Sequence, residues 1–353
     1  MNVVDPKIGA EASQDRYAVR DSAPRQWRDM LLRWEVILVL LLAATIIVNT
    51  IVSPYFLDIF NLADATFNFS EKAIIALGMA LLILVREIDL SVAAIVALAS
   101  MAIGYAAEAG FGPGALFAVG IGVGLACGVF NGLLVTWFSL PSIVVTIGTM
   151  SLFRGLTQVI LGDQAKTKYP QEFLDLGQSY FIKMKETGIP GIVIPPVPLS
   201  FLIFLVLTVL FGIVLHKTAT GRRLFAIGSN PVAARFSGIP VDRLRLCLFI
   251  LSGALSGLAA ALLTARLGSM RSNIGIGWEL DIVTMVILGG VSIAGGVGSI
   301  LGVVLAVLVL GLVTFGMSLN NIPGQVVSVY IGALLILVIA IPRLIDKIRV
   351  RPR

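Results

Sequence analysis

The chain has 353 residues, 58% hydrophobic and 13% charged, with mean hydropathy +0.98 and formal net charge +6. Soluble domains carry roughly 25% charged residues. Half that density over this length excludes a water-soluble enzyme and makes lipid the main solvent.

Residues 1–33 are polar and charged, too long a stretch for a signal-peptide n-region, so the first apolar run is expected to be a retained anchor. A helix crossing a hydrocarbon core of ~30 Å needs ~20 apolar residues. Ten spans are expected, at roughly 36–54, 73–86, 90–107, 115–137, 141–161, 199–216, 246–265, 280–296, 298–318 and 324–342. The second and eighth are short, which suggests broken or tilted helices. Cys127 and Cys247 sit in apolar segments and match no metal spacing. The single histidine, His216, closes a span beside Lys217 and reads as interfacial and structural.

Lysine and arginine mark sidedness. With the N-terminus inside, the cytoplasmic segments hold eighteen of them and the outer segments seven, while Arg154 lies within a span. The reading is an all-α polytopic membrane protein with about ten transmembrane helices and both termini cytoplasmic. Its parts are an N-terminal segment 1–34, one transmembrane domain 35–342 and a basic tail 343–353. Arg266 and Arg271 violate the rule mildly, on the outer side. The net charge is membrane sidedness, and no nucleic acid is expected. Residues 162–198 face outside and contain "YPQEFLDLGQSYF", a candidate amphipathic surface helix, followed by a proline-stiffened link.

Residues 287–302, "ILGGVSIAGGVGSILG", have the look of a phosphate loop but fail the test. Gly296 to Gly302 is GxGxxxG, the ribose-binding acid is missing and no lysine follows a glycine. Small residues instead let membrane helices approach closely. Gly120, Gly124, Gly128 and Gly132 form a ridge on the fourth span, Gly253, Gly257 and Ala261 repeat it on the seventh, and Gly298 and Gly302 are read as a third packing face. The paired glycines 289–290 and 295–296 are expected to break a helix.

No catalytic constellation is present, so no catalytic, cofactor or metal residue is assigned. Uncharged groups inside spans are Asn131, Thr146, Thr149, Ser151, Ser252, Ser256 and Thr284; charged ones stand at span ends, namely Glu87, Asp89, Glu279 and Asp281. Such groups either line a path for a hydroxyl-rich solute or hold helices together, and the acids also suit helix N-termini. Candidates for the path are Asp89, Ser91, Asn131, Thr146, Thr149, Glu279 and Asp281. With so few ionisable groups at mid-membrane, the energy source is expected on another chain.

The loop 217–245 is a candidate docking element. Ser229 or Asn230 can N-cap a short helix, Pro231 suits its first turn, Ala233, Ala234, Arg235 and Phe236 continue it, and Gly238 stops it.

"AIGSNPVAARFSGIPVDRLRL" resembles the cytoplasmic coupling loop of sugar-type ABC importer permeases, the ribose, arabinose, rhamnose and autoinducer-2 group. "REIDLSVAAIVALAS" is similar to that family's GGIDLSVG segment. "FNGLLVTWFSLPSIVVTIGTMSLFRGL" looks like its fourth and fifth spans, and "ELDIVTMVILGGVSIAGGVGSILGVVLAVLVLGL" like its C-terminal glycine signature. The resemblance runs from about residue 70 to 342. It implies a cobalamin-importer-like permease in a bacterial inner membrane, working with a second permease copy or paralogue. A cytoplasmic ABC ATPase carrying ATP and Mg would grip Asn230, Pro231, Ala233, Ala234, Arg235, Gly238 and Ile239. A periplasmic sugar-binding protein would deliver the solute. Arg86-Glu87 replaces the family's Gly-Gly, a variant that resembles the rhamnose branch; the polar "DATFNFSEK" ahead of the second span is a further departure. The rival reading is a stand-alone ion-coupled carrier or channel for a small neutral solute.

Overall fold

The charge-poor runs fold as helices whose ends meet on two opposite faces. The computed structural model describes residues 34–182, 185–186, 193–194 and 196–349; the expected N-terminal segment lies outside the described residues, save Trp34. Helix α1 (Trp34–Val52) shows apolar side chains such as Leu40, Ile47 and Ile51 outward, as a lipid-facing helix does. Helix α2 (Ile59–Leu84) starts at an Asp58 cap, whose Oδ1 accepts from the amides of Phe60 at 2.9 Å and Asn61 at 3.3 Å. Every residue from Ala73 to Val85 is buried, so α2 is the central post. Helices α3 (Val92–Glu108), α4 (Pro113–Thr136) and α5 (Ser142–Leu161) follow, then the short α6 (Gln171–Gln178).

Four short strands form two antiparallel pairs. β1 (Tyr180–Ile182) pairs with β4 (Val197–Pro198), and β2 (Lys185–Glu186) with β3 (Val193–Ile194). The chain continues through α7 (Leu199–Lys217), α8 (Ala219–Ser229), α9 (Pro231–Phe236), α10 (Val241–Leu267), α11 (Trp278–Leu288), α12 (Ile300–Leu319) and α13 (Gly324–Arg349). Helices α1, α2, α4, α5, α7, α10 and α12 are long and apolar enough to cross a membrane. The protein is a multi-pass membrane protein.

The most extensive helix pairing is α4 with α10. A Cβ on Gly124 would run into the Gly253 carbonyl, and one on Gly253 into the Gly124 carbonyl. Gly120 and Gly257 face each other in the same way, Gly128 lies against the Phe249 backbone and Gly132 against Leu246. Backbone touches backbone along this seam, and this brings α4 close enough to α10 for their polar groups to meet.

Three expectations change. The second span does not begin at residue 73: α2 reaches back to Ile59, and "DATFNFSEK" is helical. Two of its three charges are paired from afar, Glu71 by Arg266 and Lys72 by Asp281, while Asp64 accepts from the Tyr180 hydroxyl. The eighth span does not run to residue 296. α11 stops at Leu288, with Gly289 as its C-cap and Gly290 at φ +84°, where a left-handed backbone ends the helix. Gly298 is not on a helical face either. It precedes the Ser299 cap of α12 and packs on Val291, while Gly302 packs on the Gly289 carbonyl.

One face gathers the starts of α1, α10 and α12 and the ends of α2, α7 and α11. There Trp34 Nε1 donates to the Leu288 carbonyl at 2.8 Å, and the Gly296 amide to the Leu84 carbonyl at 2.9 Å. His216 Nε2 accepts from the Ile300 amide at 3.5 Å. At the opposite face Lys166 pairs with Glu108 at 2.7 Å, and the amide and carbonyl of Lys166 bridge Met270. α6 covers the end of α10 there, with Gly177 against the Ala265–Arg266 backbone. α13 continues as helix through residues 343–349 of the expected tail.

Candidate functional site

The docking candidate is α9, a short helix held at both ends. Asn230 Oδ1 accepts from the amides of Val232 at 3.1 Å and Ala233 at 3.0 Å, satisfying donors that the first turn leaves free. Pro231 fills the first position, where no amide is needed. At the other end Gly238 turns at φ +81° and the Ile239 amide returns to the Ala234 carbonyl at 3.1 Å. Arg235 Nη2 donates to both carboxylate oxygens of Asp242, at 2.7 and 2.8 Å. Ala234 faces the protein body and Ile239 packs partly on the core. Phe236, by contrast, is 90% exposed, and Val232 also stands clear. A rigid helix that presents a bare phenyl ring has the shape of a plug for a partner's socket. The helix before it, α8, is absent from the sequence expectation. Thr218 caps it by accepting from the Gly221 amide at 3.3 Å.

Four of the path candidates, Asp89, Ser91, Asn131 and Thr146, converge on the link between α2 and α3. Asp89 Oδ1 accepts from the Ser91 amide at 3.0 Å and from Ser91 Oγ at 2.6 Å. Ser91 Oγ in turn accepts from Asn131 Nδ2 of α4 at 2.8 Å. Ser252 Oγ of α10 reaches Asp89 Oδ2 at 3.4 Å. The link's backbone is met by α5: Ser142 Oγ accepts from the Ile88 amide and Thr146 Oγ1 donates to the Ile88 carbonyl, both at 3.3 Å. Thr149 Oγ1 donates to the Thr146 carbonyl one turn on. Asp89, Ser91, Asn131 and Thr146 are fully buried. In this conformation they form a closed polar seam joining four helices, not an open channel. Asn131 Oδ1 has no hydrogen-bond partner among the described residues. Ser256 and Thr284 bond to carbonyls of their own helices and stay outside the seam.

Glu279 and Asp281 are not part of that group. They open α11 near the opposite face, where Asp281 pairs with Lys72 and the Lys72 ammonium lies 5.2 Å from the Trp278 ring centre. Beside them is a cleft of about 520 Å³, lined among others by Asn68, Lys72, Trp278, Asp281, Ser318 and Ser328.

Arg154, left without a role by the sequence, is a cross-brace. Its Nη1 donates to the carbonyls of Ser272 at 3.0 Å and Ile274 at 2.7 Å, and its Nη2 to Ala93 at 3.3 Å. The signal was there, since an arginine inside a span needs several acceptors. The acceptors are backbone carbonyls, two from the loop after α10 and one from the start of α3, and they leave no mark in composition.

The family model described as "Branched-chain amino acid transport system / permease component" matches residues 61–339. The chain is 34% identical over 312 residues to the Autoinducer 2 import system permease protein LsrD of Escherichia coli strain K12, covering 87% of this chain and 91% of that protein. It is 35% identical over 312 residues to LsrD of Yersinia enterocolitica serotype O:8, covering 87% and 90%. No solved structure matches the chain.

Proposed function

Because the chain belongs to the permease family of that description, we propose that it is the membrane-spanning subunit of an ATP-driven, binding-protein-dependent importer of a monosaccharide. The chain itself carries no catalysis in this reading. ATP and Mg sit on a cytoplasmic ATPase that docks on α9, and a periplasmic binding protein supplies the solute. Two permease subunits enclose the path and alternate between outward and inward access. The termini and α9 are then cytoplasmic, in a bacterial inner membrane.

The observation that carries this reading is α9: capped at both ends, tied to the body, and ending in an exposed Phe236. An exposed aromatic side chain on a capped helix is the kind of anchor that a protein partner covers. The solute is taken to be sugar-like because the motif resemblance is to sugar importers, and because the relatives are named for import of autoinducer 2. Within that class a rhamnose-like monosaccharide is favoured by Arg86-Glu87. Both side chains are engaged beside α9, so this preference rests on the resemblance alone.

The test is reconstitution of the chain in liposomes with its ATPase and binding protein. Uptake of labelled rhamnose or autoinducer 2 is expected only with ATP inside the ATPase compartment. Uptake by the chain alone under a proton or sodium gradient would establish the rival, a stand-alone carrier. That rival draws on Asp89, a buried acid with no cationic partner among the described residues.

A further inference from the structure

We infer that Arg86 and Glu87 are positioning residues that link the docking helix to the buried polar seam, so that movement of α9 is passed to α3. The inference rests on the reading that α9 docks an ATPase.

Arg86 stands at φ +68°, a left-handed conformation that suits glycine and strains other residues. The strained backbone is matched by two strong side-chain bonds. Arg86 Nε donates to the Gly228 carbonyl at 2.7 Å and Nη2 to the Ser229 carbonyl at 2.6 Å. These carbonyls end α8, where helix carbonyls lack partners and positive charge is favoured. The next residue, Asn230, is the cap of α9. Arg86 therefore holds the residues immediately before the docking helix.

Glu87 holds the residues after it. Its Oε1 lies 3.0 Å from Arg245 Nε in the second turn of α10, an ion pair with side-chain exposures of 8% and 21%. Two adjacent residues thus grip both sides of the segment that carries α9. Two residues further on, Asp89 enters the seam with Ser91, Asn131 and Ser252, and Ser91 is the start of α3.

The surrounding contacts leave little slack. A Cβ on Gly228 would strike the Leu84 carbonyl and the Gly296 amide, and one on Gly295 would strike Arg86 Cγ. The Gly296 amide is itself bonded to Leu84 at 2.9 Å. A push on α9 cannot be absorbed by loose packing here. It is carried through Arg86 and Glu87 into the link, within the reach of two or three extended residues.

The experiment measures ATP hydrolysed and solute taken up in the same liposomes, with the full permease, ATPase and binding protein. Arg86→Gly is the first variant, since glycine suits the backbone at 86. It is expected to assemble and hydrolyse ATP within about twofold of wild type while uptake falls about tenfold, a typical coupling between sites. Glu87→Arg is expected to uncouple likewise, and Glu87→Arg with Arg245→Glu to recover much of the uptake. Should Arg86→Gly fail to assemble, this charge-exchanged pair decides. Arg86→Gly with the same uptake per ATP as wild type, or an exchanged pair no better than its single variants, overturns the inference. A wild-type assembly with no ATP-driven uptake overturns the transporter reading instead.

Discussion

Arg266 Nε lies 2.7 Å from Glu71 Oε1 and joins the end of α10 to the middle of α2, with the Glu71 side chain fully buried. The arginine that runs against the expected charge asymmetry is neutralised in place. Removing one member of a buried pair strands the other and costs about 3–5 kcal/mol, whereas replacing both with apolar groups is often near neutral. Glu71→Ala is therefore expected to destabilise by about 3 kcal/mol or more, and Glu71→Met with Arg266→Met by much less. Thermal unfolding in detergent reads both; equal losses would contradict the pairing.

The glycine seam makes a sharper contrast. Gly124 has no room for a methyl against α10, while Gly122, on the same helix, has open space around its Cβ position. Gly124→Ala is expected to cost about 1–3 kcal/mol through overpacking. Gly122→Ala should be neutral or stabilising by up to about 1 kcal/mol, through helix propensity. Comparable unfolding midpoints for the two variants would mean that α4 and α10 are not in backbone contact.

In the polar seam, Asp89 serves three donors: the Ser91 amide, Ser91 Oγ and Ser252 Oγ. Asp89→Leu strands all of them, and a stranded buried donor costs about 1–3 kcal/mol. Asp89→Asn keeps an acceptor and should lose less. Asn131→Leu removes one donor to Ser91 and should cost about 1 kcal/mol. The expected order of unfolding midpoints is wild type, then Asp89→Asn, then Asp89→Leu lowest. A reversal of the two Asp89 variants would show that the carboxylate is not hydrogen-bonded as described.

Phe236→Asp probes docking without touching the fold. The ring is 90% exposed, and surface changes of this kind shift stability by only about 0.5 kcal/mol. Loss of an interface anchor costs about 2 kcal/mol or more in affinity. The variant should keep its unfolding midpoint and lose co-purification with the ATPase. Ala234, which faces inward, would mix folding with docking and is the poorer choice.

Features written in local spacing were legible. The α9 caps follow from Asn230, Pro231 and Gly238 in their order, and the end of α11 follows from the paired glycines. The α4 ridge follows from glycine every fourth residue. What escaped depends on partners far away in sequence. Glu71 and Lys72 looked too polar for a span because their counter-charges, Arg266 and Asp281, arrive some two hundred residues later. Sequence also grouped Glu279 and Asp281 with Asp89 because all are acids at helix starts, whereas their contacts differ: Asp281 pairs with Lys72, and Asp89 meets Ser91 and Ser252. The contacts of Arg86 were also hidden, since carbonyl acceptors at Gly228 and Ser229 carry no residue-type signature.

The segment from Gly289 to Gly296 also limits where a reporter group can be placed. It lies against α1 through Trp34, α2 through Leu84, α8 through Gly228 and α12 through Gly302. A fluorophore or epitope grafted there would pry four helices apart at once. The turn around Gly110 and Gly112, with empty space at each Cβ position, offers a roomier attachment point at the opposite end of the molecule.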